Sequence, residues 1–132
     1  MKRTIPLIIA ILTLLAALAG SNIGMAAAAE SVPSGAVRAW GTNSLGQLGD
    51  GSTTTRTTPV QVAGLSSVVA VAGGRKHSLA LRSDGSVWAW GDNNLGQLGD
   101  GSWTNQPRPV QVHDLSRAVA IAAGDQLSLI HI

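Results

Sequence analysis

The feature that most constrains this chain is an internal repeat of fifty residues. The segment Trp40-Gly41-Thr42-Asn43-Ser44-Leu45-Gly46-Gln47-Leu48-Gly49-Asp50-Gly51-Ser52 returns as Trp90-Gly91-Asp92-Asn93-Asn94-Leu95-Gly96-Gln97-Leu98-Gly99-Asp100-Gly101-Ser102. Pro59-Val60-Gln61-Val62 returns as Pro109-Val110-Gln111-Val112, and Val68 to Gly74 returns as Ala118 to Gly124. Every match has the same offset, so the chain is built of like units. A unit of this length is one supersecondary element that buries its apolar faces only against its neighbours.

Within a unit the pattern is that of short strands. Val68 to Ala72 is a small apolar run, the signature of a strand covered on both faces. His77-Ser78-Leu79-Ala80-Leu81 alternates, with Leu79 and Leu81 on one face and Ser78 and Ala80 on the other. Ser83-Asp84-Gly85-Ser86 is a hairpin signal, because Asp and Gly tolerate the positive φ of tight turns. Val87-Trp88-Ala89-Trp90 follows, with both tryptophans on one face. A Gly-rich loop then leads to a fourth short strand opened by Pro59 or Pro109, since proline is tolerated at a strand's start or edge. No stretch after residue 30 carries a sustained helical period. Four strands per unit predict an all-β chain of β-propeller blades, each a four-stranded antiparallel sheet set radially.

The string Trp-Gly-x-Asn-x-x-Gly-Gln-Leu-Gly-Asp-Gly, then Pro-Val-x-Val, then Val-x-Ala-x-Ala-Gly-Gly-x-x-His-Ser-Leu-Ala-Leu resembles the regulator of chromosome condensation repeat, here in the form expected of an exported bacterial protein. The resemblance covers about residues 35 to 130 and implies blades of a seven-bladed propeller. It divides 30–132 into three pieces of a partial propeller: a half blade over 31–65, a full blade over 66–115 and a half blade over 116–132. The last unit departs from the pattern, with Leu127 where the preceding unit has His77. About two units are expected to be a fragment of a longer propeller, or to self-associate through their incomplete blades. If each open blade face holds on the order of 400 Å² of apolar surface, leaving both wet forgoes about 20 kcal/mol.

The first 29 residues read differently. Lys2 and Arg3 precede an apolar run from Ile5 to Ala19, and Ala26 to Ala29 offer small residues before Glu30. This is the order of a secretory signal peptide, expected to be helical and cleaved after Ala29. Its apolar core is short for a spanning helix, which wants roughly 20 apolar residues. The expected location is secreted or in the cell envelope, with no membrane attachment after cleavage.

Charge and composition exclude several functions. Beyond Ala29, seven basic and seven acidic residues balance, so the positive surplus that nucleic-acid binding needs is missing. The chain has no cysteine, which excludes disulfides, Cys-ligated zinc and thiol nucleophiles. Gly41 to Gly46 and Gly91 to Gly96 mimic the spacing of a phosphate loop, but Gln47 and Gln97 stand where its lysine belongs. The glycines are expected to shape turns, with Gln47 and Asp50 bonding the loop backbone. Asp92-Asn93-Asn94 starts like a calcium loop, but Gln97 replaces the required glycine and no glutamate closes it. No histidine has a recognisable catalytic or metal-ligand spacing, and no cofactor is expected.

What remains is recognition. Trp40 and Trp90, at equivalent positions, are expected to pack between blades. Trp103 falls in a polar loop that differs between the copies, and Arg75-Lys76 sits in a turn whose counterpart is Asp125-Gln126. Trp103, Arg75 and Lys76 are the candidate contacts for an unknown protein partner. The expected function is a non-catalytic protein-interaction scaffold and not an enzyme. The alternatives are a secreted enzyme inhibitor (the resemblance extends to a propeller that inhibits β-lactamase), a structural cell-envelope repeat, and the non-catalytic part of a larger exported enzyme.

Overall fold

The computed structural model describes residues 8–11, as backbone, and 35–132. Among them are nine strands: β1 (Ile8–Ile11), β2 (Val37–Gly41), β3 (Arg56–Gln61), β4 (Val68–Gly73), β5 (His77–Arg82), β6 (Val87–Gly91), β7 (Gln106–Gln111), β8 (Ala120–Ala123) and β9 (Ser128–His131). They form antiparallel sheets in the orders β1-β2-β3, β4-β5-β6-β7 and β8-β9. The described residues contain no helix.

The four-stranded sheet shows how the repeat becomes a blade. β5 and β6 pair without interruption from His77↔Gly91 to Leu81↔Val87. The hairpin between them uses only Gly85 at positive φ, 81°. Asp84 contributes its carboxylate, accepting from the Ser86 amide at 2.9 Å and the Ser86 hydroxyl at 2.6 Å. Both prolines of the repeat lie inside a strand and do not open it. Pro59 falls in β3 and Pro109 in β7, each inside a bulge of its own strand: the residues between Arg56 and Val60, or between Gln106 and Val110, stand against the single residue Trp40 or Trp90 of the neighbouring strand. A bulge on an edge strand is where a residue without an N–H costs no ladder bond.

β4 packs on both faces, as expected, but without full burial: Val68 and Val71 join one core, and Ala70 and Ala72 lie against the other. Val69, at the irregularity between Val68 and Ala70 on this edge strand, is 54 % exposed.

Alternation assigns each face of the blade to a different neighbour. Ala80 and Trp90 join Val37, Ala39, Leu48, Val62, Leu65 and Val68 in one core, with Trp88 packed at its margin. Leu79, Leu81, Val87 and Ala89 turn to the other side and meet Leu98, Val112 and Ala118 in a second core, edged by Ile121 and Ile130. Each fully buried Leu or Val contributes about 1.5–3 kcal/mol, and in each core residues of one unit are joined by residues of the next, Val68, Ala80 and Trp90 in the first and Ala118 in the second.

β1 is unexpected. Within the first 29 residues, Ile8–Ile11 are extended where a helix was expected, and they pair with β2 from Ile8↔Trp40 to Ile11↔Val37. Isoleucine is β-branched and suits a strand, and the open edge of β2 presents a row of backbone groups that need partners. The rest of residues 1–29, including the expected cleavage point, lies outside the described residues.

Candidate functional site

The Gly-rich loop is a closed polar frame in both copies. Asn43 is fully buried at its centre. Its amide nitrogen donates to the carbonyls of Ser52 and Thr54, both at 3.0 Å, and its amide oxygen accepts from the Leu48 N–H at 2.9 Å. Asn93 repeats this with Ser102 at 3.0 Å, Thr104 at 3.1 Å and Leu98 at 3.1 Å. Gln47 and Gln97 accept from the amides of Leu45 and Leu95, both at 2.9 Å. Gly46, Gly49 and Gly51 all have positive φ, as do Gly96, Gly99 and Gly101. The expected structural role of Gln47, Asp50 and the glycines is therefore what the loop shows. The buried asparagine at its hub was not singled out from the sequence, although its identity in both copies was the available signal.

Asp50 and Asp100 close the frame. Burial raises the Asp50 carboxyl, but hydrogen bonds from the Ser52 hydroxyl and amide, from Arg56 and from Asn43 outweigh it and hold the group below the usual carboxylate range. Arg56 Nε donates to Asp50 at 2.9 Å. Asp100 is lowered in the same way, its burial outweighed by bonds from Ser102, Asn93 and Gln106. Asn93 is thereby committed to the loop, which removes the central residue of the calcium-like string from cation binding. Among the described residues, no group of three or more His, Asp or Glu stands close enough to cage a metal.

Consecutive units are latched through the same loop. The Gln47 carbonyl accepts from the Trp90 indole N–H and from the Ser78 hydroxyl, both at 2.9 Å. One unit on, the Gln97 carbonyl accepts from the Ser128 hydroxyl at 2.8 Å. Trp90 is fully buried in this seam, as its expected packing role requires, whereas Trp40 is only partly buried.

The structure makes one pair that spacing did not reveal: His77 Nε2 lies 3.1 Å from Ser128 Oγ. A serine–histidine contact suggests a nucleophile and its base, but the protons run the wrong way. Ser128 donates its hydroxyl hydrogen to the Gln97 carbonyl, so it accepts from the imidazole. His77 is fully buried, and its Nδ1 has no hydrogen-bond partner to orient it as a base. Burial lowers its pKa, against opposing contributions from Asp92, the Leu127 backbone and Asp125, so the ring is neutral at pH 7. Ser78 makes the same bond to Gln47 in the previous seam without any histidine. The pair is a latch.

The three candidate contact residues are exposed, and two loops carry them to one end of the blade. Trp103 is 71 % exposed, and its indole rests over Gly96, where a Cβ would lie 3.5 Å from the ring. Leu95 beside it is 58 % exposed. The Arg75-Lys76 turn joins β4 to β5 at the end where the loop of 92–105 joins β6 to β7. The Lys76 carbonyl fixes the two together by accepting from the Asp92 N–H at 2.8 Å. Arg75 lies 3.8 Å from Asp125, a pair exposed on both sides. Such pairs contribute little to stability, so the guanidinium is available to a partner.

The regulator of chromosome condensation (RCC1) repeat matches this chain over residues 34–81 and 84–130, and a second form of the repeat matches 68–97. The chain belongs to the RCC1 repeat family. Solved structures agree. Human WBSCR16 superposes with a TM-score of 0.60 at 28 % identity, over 71 % of this chain and 25 % of that one. Yeast RCC1 (Prp20), solved with Kap60 bound, gives 0.58 at 30 % identity, over 72 % and 23 %. Prp20p from Saccharomyces cerevisiae, whose structure was described with its binding to Gsp1p and histones, gives 0.57 at 32 % identity, over 73 % and 24 %. The RCC1-repeat chain thus spans about a quarter of the length of these neighbours.

Proposed function

We propose that this RCC1-repeat chain is a non-catalytic scaffold that binds a protein partner through the end of the blade carrying Trp103, Arg75 and Lys76. The observation that carries this reading is a division of labour. Asn43, Asn93, Gln47, Gln97, Asp50 and Asp100 spend their polar atoms on the loops themselves. Trp103 and the basic turn are left to solvent at one end. Tryptophan and arginine are the residues that most often dominate protein interfaces. The Kap60 complex of yeast RCC1 and the Gsp1p and histone binding of Prp20p are properties of those proteins; they support protein recognition as the use of such blades. Blades host many activities, so the residues of the site carry the reading, not the fold.

Export belongs to the same proposal: the leader directs the chain out of the cytoplasm, and the partner is met in the envelope or medium. N-terminal sequencing of the chain recovered outside the cell is expected to begin at Glu30; a start at Met1 in the cytosol refutes export. The binding test is quantitative affinity capture from envelope extract with the wild-type chain and a Trp103→Ala/Arg75→Ala/Lys76→Ala variant. The variant is expected to fold normally and lose one specific protein. Equal retention by both chains refutes the assigned face. The identity of the retained protein separates an enzyme inhibitor from an envelope component.

A further inference from the structure

Two edges and one groove of this chain fit each other across copies. β1 shows that the outer edge of β2 accepts a strand, and fixes the register: Ile8 opposite Trp40, Ile9 opposite Ala39, Ala10 opposite Arg38, Ile11 opposite Val37. In the full blade, Ser78, Leu79, Ala80 and Leu81 of β5 stand opposite Trp90, Ala89, Trp88 and Val87 of β6. Counted along the fifty-residue repeat, the two registers are the same, so β1 occupies the place that belongs to the second strand of a blade.

Among the described residues, β9 holds the place of a second strand and has no third beside it. Its pairing with β8, from Ala120↔His131 to Ala123↔Ser128, repeats that of β5 with β4 at an offset of fifty. Among the described residues its other edge has no strand, and Leu129 on it is 57 % exposed.

The groove supplies an independent fit. In the first seam the Trp90 indole fills the space over Gly49, where a Cβ would lie 2.7 Å from Nε1 and 2.9 Å from Val62. The equivalent space in the second seam is a groove of about 320 Å³ lined by Gln97, Leu98, Gly99, Val112, Leu127 and Ile130. There a Cβ on Gly99 would meet only Val112, at 3.0 Å. The residue equivalent to Trp90 on β2 is Trp40, which is only partly buried in its own chain.

We propose that β2 of one copy docks on β9 of a second copy. Leu129 then stands opposite the partner's Ala39, and Ile130 opposite the partner's Arg38. The partner's Trp40 indole enters the groove and donates its N–H to the Gln97 carbonyl. The joined sheet β8-β9-β2-β3 is a complete blade. β1 and the second copy compete for one edge, so release of the leader frees the docking site. The contact is head-to-tail, so it repeats from copy to copy and closes into a ring where the rotation allows.

The chain has no cysteine, which makes disulfide trapping clean. Two full-length variants, Ala39→Cys/Leu129→Cys and Arg38→Cys/Ile130→Cys, place thiols directly opposite across the proposed contact. Directly opposite pairs alternate between closer and wider spacing, so one of the two suits a disulfide. Oxidation is expected to give covalent dimers and higher species with at least one pair. Adding Ile9→Pro/Ala10→Pro, one of which always faces the ladder, is expected to raise the yield. Trp40→Ala is expected to lower it at least tenfold. Ala39→Cys/Ile130→Cys, one residue out of step, is expected to give no cross-link because the side chains face opposite ways. Monomer only from both in-register pairs with the leader prolines present, a link within one chain, or equal yield from the out-of-step pair overturns the proposal. Far-UV circular dichroism of each variant establishes that it is folded.

Discussion

Replacing Asn93 with alanine is the most informative single perturbation of the blade. The side chain is fully buried and holds four segments of one loop. Its amide offers two hydrogens, shared among Asp100, the Ser102 hydroxyl and the carbonyls of Ser102 and Thr104, all at 3.0–3.1 Å, and its oxygen takes the Leu98 N–H at 3.1 Å. That amounts to three hydrogen bonds' worth. At about 1 kcal/mol net for each, Asn93→Ala costs about 3 kcal/mol. For a domain of this size 1 kcal/mol shifts Tm by about 4–8 °C, so the expected fall is about 12–24 °C by thermal circular dichroism. Asn93→Asp removes both donors and sets a second carboxylate beside Asp100 and the two carbonyls. It is expected to be at least as damaging at pH 7 and to recover partly near pH 4, where the new group can take a proton and donate again. A loss below about 0.5 kcal/mol in Asn93→Ala would show that the frame is not what holds the loop, and the division between structural and binding residues would fall with it.

Other outcomes follow from the same geometry. Burial lowers the pKa of His77, so the unfolded chain binds a proton more readily than the folded one. Stability is then full above about pH 6.5 and falls as the pH drops below it, by at most about 1.4 kcal/mol per pH unit; His77→Gln is expected to flatten that slope in urea titrations. The lowered carboxyls of Asp50 and Asp100 add a separate loss that begins only near pH 4, as the unfolded chain takes up protons there, and continues until the folded groups are protonated. Asp114 sits at φ 56° where the preceding unit has Gly64 at 70° with open space around it. Asp114→Gly is expected to stabilise the chain by about 0.5 kcal/mol, read as a rise in the urea midpoint; destabilisation would mean the aspartate makes an interaction that outweighs its backbone strain.

The strands and faces were legible in the sequence because alternation and a fifty-residue offset are direct consequences of pleated blades stacked in order. Leu79 and Leu81 lie in one core and Ala80 in the other, as the period of two requires. Strand starts were less legible. Pro59 and Pro109 look like boundaries, yet a bulge in β3 and in β7 takes each of them inside the strand. The His77–Ser128 latch was invisible because it joins residues 51 apart across a seam, where no local pattern reports contact. Ile8–Ile11 read as leader because apolar length is the signal for export. Three of the same four residues also have a strand's branching, and pairing with β2 depends on an edge that this segment's own sequence does not encode. The exposure of Trp103 was legible from the difference between the two loops, while its seat on Gly96 was not.

Hydrogen–deuterium exchange on the full chain, resolved to short peptides, tests most directly whether each unit is held by the units on either side. β5 and β6 have a sheet neighbour along both edges and a core on both faces, and they should exchange slowest. The Val62 amide, bonded to Val37, and the Ala63 amide, bonded to Gly49, should be slower than the exposed turn at Ser83–Ser86. β8 and β9 should exchange fastest of the strands in 37–131. Exchange in β5 and β6 as fast as in β9 would contradict the stacking of one unit on the next.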